Sequence, residues 1–154
     1  MSAYYFDASA LAKRYTQERG SDWVIALMIG QAGVTYHSSV VIGVEVASAL
    51  VRKANIGTIS AEELQHGIVQ FRLEWQLILE TTDVSLAVVE RAMLLTERHG
   101  LRGYDAVHLA TALTVSNERH HAGMSPLVFV SADRTQLDAA RAEGLIGENP
   151  NDHP

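Results

Sequence analysis

Two four-residue stretches, Ala3-Tyr4-Tyr5-Phe6 and Leu127-Val128-Phe129-Val130, contain no charged side chain on either alternating face. A strand with one side in water alternates apolar and polar residues; a strand that is apolar throughout needs cover on both sides. Helix-length segments with apolar stripes separate these runs. That pattern describes a parallel sheet held between helical layers. The chain thus predicts a three-layer α/β/α sandwich around a central, mostly parallel sheet.

The intervening signals place the other elements. A helix is expected from about Ser9 to Tyr15, a second over Trp23 to Ile29, and a strand at Gly33-Val34-Thr35-Tyr36. Ser38 or Ser39 is placed to cap a long helix that runs to about Asn55 and is closed by Gly57. Ser60-Ala61-Glu62-Glu63 has the form of a capping box and opens a helix towards Trp75. Leu77-Ile78-Leu79 predicts a third strand. Asp83 begins a helix ending at His99-Gly100, and another runs from Gly103 to about Val115. Asn117 to Pro126 reads as a polar loop, Asp133 to Glu143 as the last helix, and Gly147 to Pro154 as a frayed tail. With 154 residues, no internal repeat and no linker, residues 1–150 are expected to form one domain, followed by a frayed end at 151–154.

Composition narrows the chemistry. The chain has no cysteine, which removes disulfides and thiolate metal sites. The apolar run from Val40 to Val51 is interrupted by Glu45 and, at about 12 residues, falls short of the ~20 needed to span a bilayer. Lys13 and Arg14 follow a short apolar stretch without a signal-peptide pattern, so a cytoplasmic protein with no membrane partner is expected. The formal net charge of -6 disfavours tight, purely electrostatic nucleic-acid binding. Ten of the twelve basic residues are arginine, however, which suits bidentate phosphate contacts.

Ligand sites of open parallel sheets form beyond the carboxyl ends of the strands. Asp7 closes the first apolar run, and Asp133 stands just after the second, beyond Ser131 and Ala132. Glu45 is the only charge between Ser38 and Val51, and Asp105 the only acid between Gly100 and Asn117. An isolated carboxylate in apolar surroundings is costly. If the fold gathers all four, repulsion adds to that cost, and a bound divalent cation is the simplest remedy.

Each acid also fits a structural role. Asp7 and Asp133 precede helices, where Asp is a favoured N-cap, and Gln136 is spaced as a capping-box partner for Asp133. Asp105 falls in the first turn of a helix, where the dipole favours a negative charge. Asp83 reads as a plain cap. Glu45 fits less easily, because Glu is rarely buried unpaired; a solvent-facing slot ahead of Arg52 and Lys53 is its bland alternative. Ser9 and Ser131 suit either capping or hydrogen bonding to a ligating acid. His108, one turn after Asp105, reads as packed or hydrogen-bonded. His120-His121, adjacent in a loop, lack the i, i+4 helical spacing of a zinc site. Lys13, Arg14 and Arg102 lie within sequence reach of the acids and of any phosphate bound there.

Four segments then align with a known pattern. They are Tyr5-Phe6-Asp7-Ala8-Ser9-Ala10-Leu11-Ala12-Lys13-Arg14-Tyr15, Ser39 through Glu45 to Arg52, Leu101-Arg102-Gly103-Tyr104-Asp105-Ala106-Val107-His108-Leu109-Ala110, and Phe129-Val130-Ser131-Ala132-Asp133 with Leu137 and Ala139 to Leu145. In this order and spacing they resemble the PIN-domain nucleases, and within them the VapC-type toxins of prokaryotic toxin–antitoxin pairs. The resemblance implies a pocket in which Asp7, Glu45, Asp105 and Asp133 hold Mg²⁺ or Mn²⁺, with Ser9 and Ser131 orienting them. It further implies RNA phosphodiester cleavage, a homodimer and a cognate VapB-like antitoxin. The alternatives are a non-catalytic interaction module or a housekeeping RNA-processing nuclease on the same fold. An aspartyl phosphotransferase would need an acid where Ser9 stands.

Overall fold

Side chains alternate sides along a strand, so a wholly apolar strand must lie between two covering layers. The computed structural model describes residues 1–153 and orders them as β1 (Ala3–Phe6), α1 (Ala8–Leu11), a 3-10 turn (Ala12–Arg14) and α2 (Ser21–Leu27). Then come β2 (Thr35–Ser39), α3 (Ile42–Asn55), α4 (Ala61–Leu77), β3 (Leu79–Thr82), α5 (Leu86–His99) and α6 (Gly103–His121). The chain closes with β4 (Leu127–Val130), α7 (Arg134–Ala142), β5 (Ile146–Glu148) and a second 3-10 turn (Pro150–Asp152).

All strand pairings are parallel, in the order β3-β2-β1-β4-β5. Ala3, Tyr5, Leu127 and Phe129 enter a core shared with Val88, Leu109 and Leu137 of α5, α6 and α7. Tyr4, Phe6, Val128 and Val130 point the other way, against Leu11, Val24, Leu50 and Phe71 of α1 to α4. The expected three layers follow directly, and the sheet is parallel throughout. Register is tightened where Tyr5 pairs with Phe129, their rings stacked 5.5 Å apart. No helix among the described residues is long and apolar enough to cross a membrane.

Several elements differ from the sequence reading, each for a tertiary reason. The second strand is Thr35–Ser39 rather than Gly33 to Tyr36, and Ser38 and Ser39 are fully buried in it instead of capping α3. Ser38 Oγ donates to the Phe6 carbonyl at 2.7 Å, and α3 starts without a side-chain cap. Helix α4 continues to Leu77, so the third strand is Leu79–Thr82, an edge strand whose polar residues meet water. Ser85, not Asp83, caps α5 by accepting from the Val88 N–H at 3.2 Å. Helix α6 extends to His121, taking in half of the expected polar loop and both of its histidines. Buried Arg119 anchors that extension on the carbonyl and hydroxyl of Ser125, each at 3.1 Å.

The first helix is also shorter than expected. It tightens into a 3-10 turn that brings Arg14 and Tyr15 onto Glu74 of α4, both at 2.8 Å. The frayed tail is not met within the described residues. Ile146–Glu148 pairs with β4, Asn149 caps the last turn, and His153 stacks on Trp23 at 4.6 Å. Pro154, also assigned to that tail, lies outside the described residues. The His153–Trp23 stack joins residues 130 positions apart, which local sequence cannot reveal.

Candidate functional site

The chain leaves β1 towards β2 and β3 on one side of the sheet, while β4 and β5 lie on the other. Neighbouring connections therefore diverge between β1 and β4, opening a crevice at their carboxyl ends. Asp7 and Asp133 follow those two ends, and the first turns of α3 and α6 bring Glu45 and Asp105 beside them. A groove of about 850 Å³ opens there, with Ser9, Glu45, Asp105 and Asp133 in its lining.

Asp7 lies beneath the groove floor, 2% exposed. It caps α1 by accepting from the Ala10 N–H at 2.9 Å. Ser9 Oγ lies 2.8 and 2.9 Å from its two oxygens, and Ser131 Oγ donates to Oδ2 at 2.5 Å. The same hydroxyls accept from the backbone of the β4 loop, Ser9 from Ala132 N at 2.9 Å and Ser131 from Asp133 N at 3.0 Å. Two serines thus stitch the ends of β1 and β4 together around one carboxylate. Burial raises the Asp7 pKa, while Ser131, the nearby His108, Ser9 and the Ala10 amide oppose the rise.

Asp133 does cap α7, its Oδ1 accepting from Thr135 N at 2.8 Å and Gln136 N at 3.2 Å. The expected reciprocal bond from Gln136 is not formed. Instead, the fully buried Gln136 side chain donates to the Asp105 carbonyl at 3.0 Å and ties α7 to the start of α6. Glu45 is not a free surface acid: its Oε2 pairs with His108 Nε2, and its side chain is 18% exposed.

Asp105 registers all the others. Burial is the largest influence, followed by the charges of Asp7 and Asp133, with His108 opposing and Glu45 adding; together they push its pKa up to about 6. Four carboxylates from four elements are therefore electrostatic neighbours. Among the described residues, no three acids or imidazoles stand close enough to grip an ion as they are. Both facts agree, since charge repulsion acts over several ångströms and ligation needs oxygens about 2–2.6 Å from a cation. The donor set fits a hard divalent ion: carboxylate oxygens only, and Asp105, Asp133 and Glu45 line an open groove, each keeping at least one oxygen without a hydrogen bond among the described residues.

The basic residues sort differently from the sequence expectation. Lys13 is committed to the Arg19 carbonyl at 2.8 Å and Arg14 to Glu74, so neither faces the acids. Arg102 does line the groove, together with Arg52, Lys53 and the exposed ring of Tyr104. His120 and His121 end α6, about 24 Å along the helix axis from Asp105 at 1.5 Å per residue. His108 is packed and hydrogen-bonded as expected, but its pairing with Glu45 was not foreseen, and Gln136, expected in a capping box, serves Asp105 instead. The available signal for His108 was its spacing of three from Asp105, which puts both on one helix face.

Comparison with known proteins fits this architecture. A model of the PIN domain matches residues 4–142. Two Mycobacterium tuberculosis proteins, Ribonuclease VapC45 and Ribonuclease VapC49, are each 35% identical over 144 residues, covering 94% of this chain and 93% of their own. A solved toxin–antitoxin complex from Klebsiella pneumoniae shares the fold, with a TM-score of 0.51 at 17% identity over 84% of this chain and 86% of that one. By fold, by matched length and by relatedness, this chain belongs to the PIN domain family.

Proposed function

We propose that this protein is a divalent-cation-dependent endoribonuclease of the VapC type, hydrolysing RNA phosphodiester bonds at the Asp7, Glu45, Asp105 and Asp133 cluster. The observation that carries the reading is the convergence of acids from four separate elements at a switch point lined by a groove, where burial first and then the charges of Asp7 and Asp133 raise the Asp105 pKa. Repelling carboxylates are uneconomical as architecture and suited to holding a cation. Relatedness to two ribonucleases over nearly the whole chain supports RNA as the substrate class.

The four carboxylates would hold Mg²⁺ or Mn²⁺, which when bound neutralises them, acidifies a coordinated water and stabilises charge developing on phosphate oxygens. The protein's own residues supply positioning. Ser9 and Ser131 fix both oxygens of Asp7 and counter the burial that favours its protonated form. Arg52 lies seven residues beyond Glu45 on α3, two turns or about 10.5 Å along the helix, a distance suited to a neighbouring phosphate. Arg102 offers a second phosphate contact beside Asp105, and Tyr104 a face on which a base can stack.

A VapB-like antitoxin and a second copy of the chain are the expected protein partners, in the cytoplasm. Exposed apolar stripes support such contacts: Val69, Leu73 and Leu77 on α4, and Leu86, Val89 and Met93 on α5. The test is cleavage of a mixed RNA pool with Mg²⁺, Mn²⁺ or EDTA. Wild type should cut only with the cation, and Asp105→Asn and Asp7→Asn should not cut. Normal cleavage by folded Asp105→Asn would refute the site.

A further inference from the structure

His108 is 1% exposed and sits at the centre of a chain of contacts crossing four elements. Phe129 of β4 stacks on Tyr5 of β1, and the Tyr5 ring meets the His108 ring edge-on at 5.9 Å. The Tyr5 hydroxyl lies 2.9 Å from His108 Nδ1, and His108 Nε2 pairs with Glu45 Oε2 on α3. A carboxylate only accepts, so His108 Nε2 must carry the hydrogen that faces Glu45. The imidazole is thus locked in place on one side and directs a donor at a single oxygen on the other. Glu45 Oε1 makes no hydrogen bond among the described residues, and the side chain borders the groove.

We infer that His108 is a positioning residue: it holds Glu45 Oε2 so that Oε1 is presented to the cation. The inference rests on the proposed reading of Glu45 as a ligand. It explains why a glutamate is tolerated in the otherwise uncharged first two turns of α3. Glu45 reaches the groove as the part-exposed half of a pair whose buried partner belongs to the helix that carries Asp105. Without that bond, a side chain with three rotatable bonds would sample several rotamers in an 850 Å³ groove.

Calorimetric titration of Mn²⁺ into the full-length protein tests the inference, using wild type, Glu45→Gln, His108→Asn, His108→Gln and the Glu45→Gln/His108→Asn double variant. Asparagine keeps a polar group near the Nδ1 position for Tyr5 but is too short to reach Glu45; glutamine places an N–H near the Nε2 position. His108→Asn should weaken Mn²⁺ binding by about tenfold or more, the loss typical for removing a residue that orients a ligand. His108→Gln should recover most of it. The double variant should bind no worse than Glu45→Gln alone. Cation-free melting curves establish that each variant is folded. Wild-type affinity in folded His108→Asn, alongside weak binding by Glu45→Gln, would overturn the positioning role while leaving the cation site standing. Additive losses in the double variant would overturn it too, because His108 would then act through the fold at large. Equal affinity in wild type and Glu45→Gln would remove Glu45 from the ligand set, and the inference with it.

Discussion

Asp105→Asn should make the cation-free protein more stable at neutral pH, although it removes a residue placed at the reactive centre. Folding raises the Asp105 pKa from an ordinary value of about 3.9 to about 6. The folded state therefore binds the proton more tightly than the unfolded state. Stability from this group is fully present below about pH 4 and is lost as pH rises through about 6. At about 1.4 kcal/mol per pH unit, the ionised carboxylate costs at most about 3 kcal/mol. Because the group is half-buried, solvent screening reduces this to about 1–1.5 kcal/mol. The opposing effect is the helix dipole, since Asp105 lies in the first turn of α6, worth about 0.3–1 kcal/mol. Burial and repulsion together win by a small margin. At about 2–4 °C per kcal/mol for a chain of this size, the remaining margin of up to about 1.2 kcal/mol should let Asp105→Asn melt up to about 5 °C higher than wild type at pH 7.5 in EDTA. The gap should close by pH 4.5, and millimolar Mg²⁺ should reverse the order by stabilising wild type selectively. Scanning calorimetry at three pH values, with and without Mg²⁺, measures all of this. A lower melting temperature for Asp105→Asn at pH 7.5, or a gap that ignores pH, would refute clustered repulsion and leave Asp105 as a helix-supporting acid.

Other perturbations separate the site from its scaffold. Ser131→Ala deprives Asp7 of its 2.5 Å donor and Asp133 N of its acceptor, so it should cost about 1–3 kcal/mol in a melt. The same change should raise the Asp7 pKa further and move the pH–rate profile for RNA cleavage towards alkali; an unshifted profile would argue against its role at Asp7. Glu74→Gln leaves the partly buried Arg14 guanidinium without its charge partner and weakens the bond from Tyr15, so it should destabilise by about 1–3 kcal/mol. RNA cleavage well below the melting temperature should survive that change, and its loss would contradict a purely structural Glu74. Arg102→Ala should raise KM for RNA and lessen the salt dependence of binding by about one phosphate contact, measured by fluorescence titration across salt concentrations.

The parts of the site that were legible in the sequence are those whose signal is local. Asp7 directly follows β1 and Asp133 stands three residues beyond β4, which occurs at the predicted Leu127–Val130 because a β-branched and aromatic apolar run suits a doubly covered strand. The Ser60 capping box is formed as expected, since its partners are three residues apart. Elements set by distant partners were not legible. Ser38 and Ser39 look like helix caps until β2 is laid beside β1, and β5 pairs only because β4 offers it an edge. Helix α6 outruns its sequence pattern because Arg119 finds Ser125.

The linear sequence determined that a parallel sheet would form, that it would need helices on both faces, and that at least two acids would stand at its carboxyl edge. Alternation along a strand and the cost of exposed apolar surface enforce these features without any long-range information. Only the tertiary structure decided what the acids would do to one another. The strand order put β1 against β4, and α3 and α6 crossed close enough for Glu45 and His108 to pair. Buried Gln136 then fixed the start of α6 beside that of α7. Burial is the largest influence pushing Asp105 to about 6, and charges 98, 28 and 60 residues away in the chain, at Asp7, Asp133 and Glu45, add to it. Electrostatic energy depends on distance in space, and the fold sets that distance.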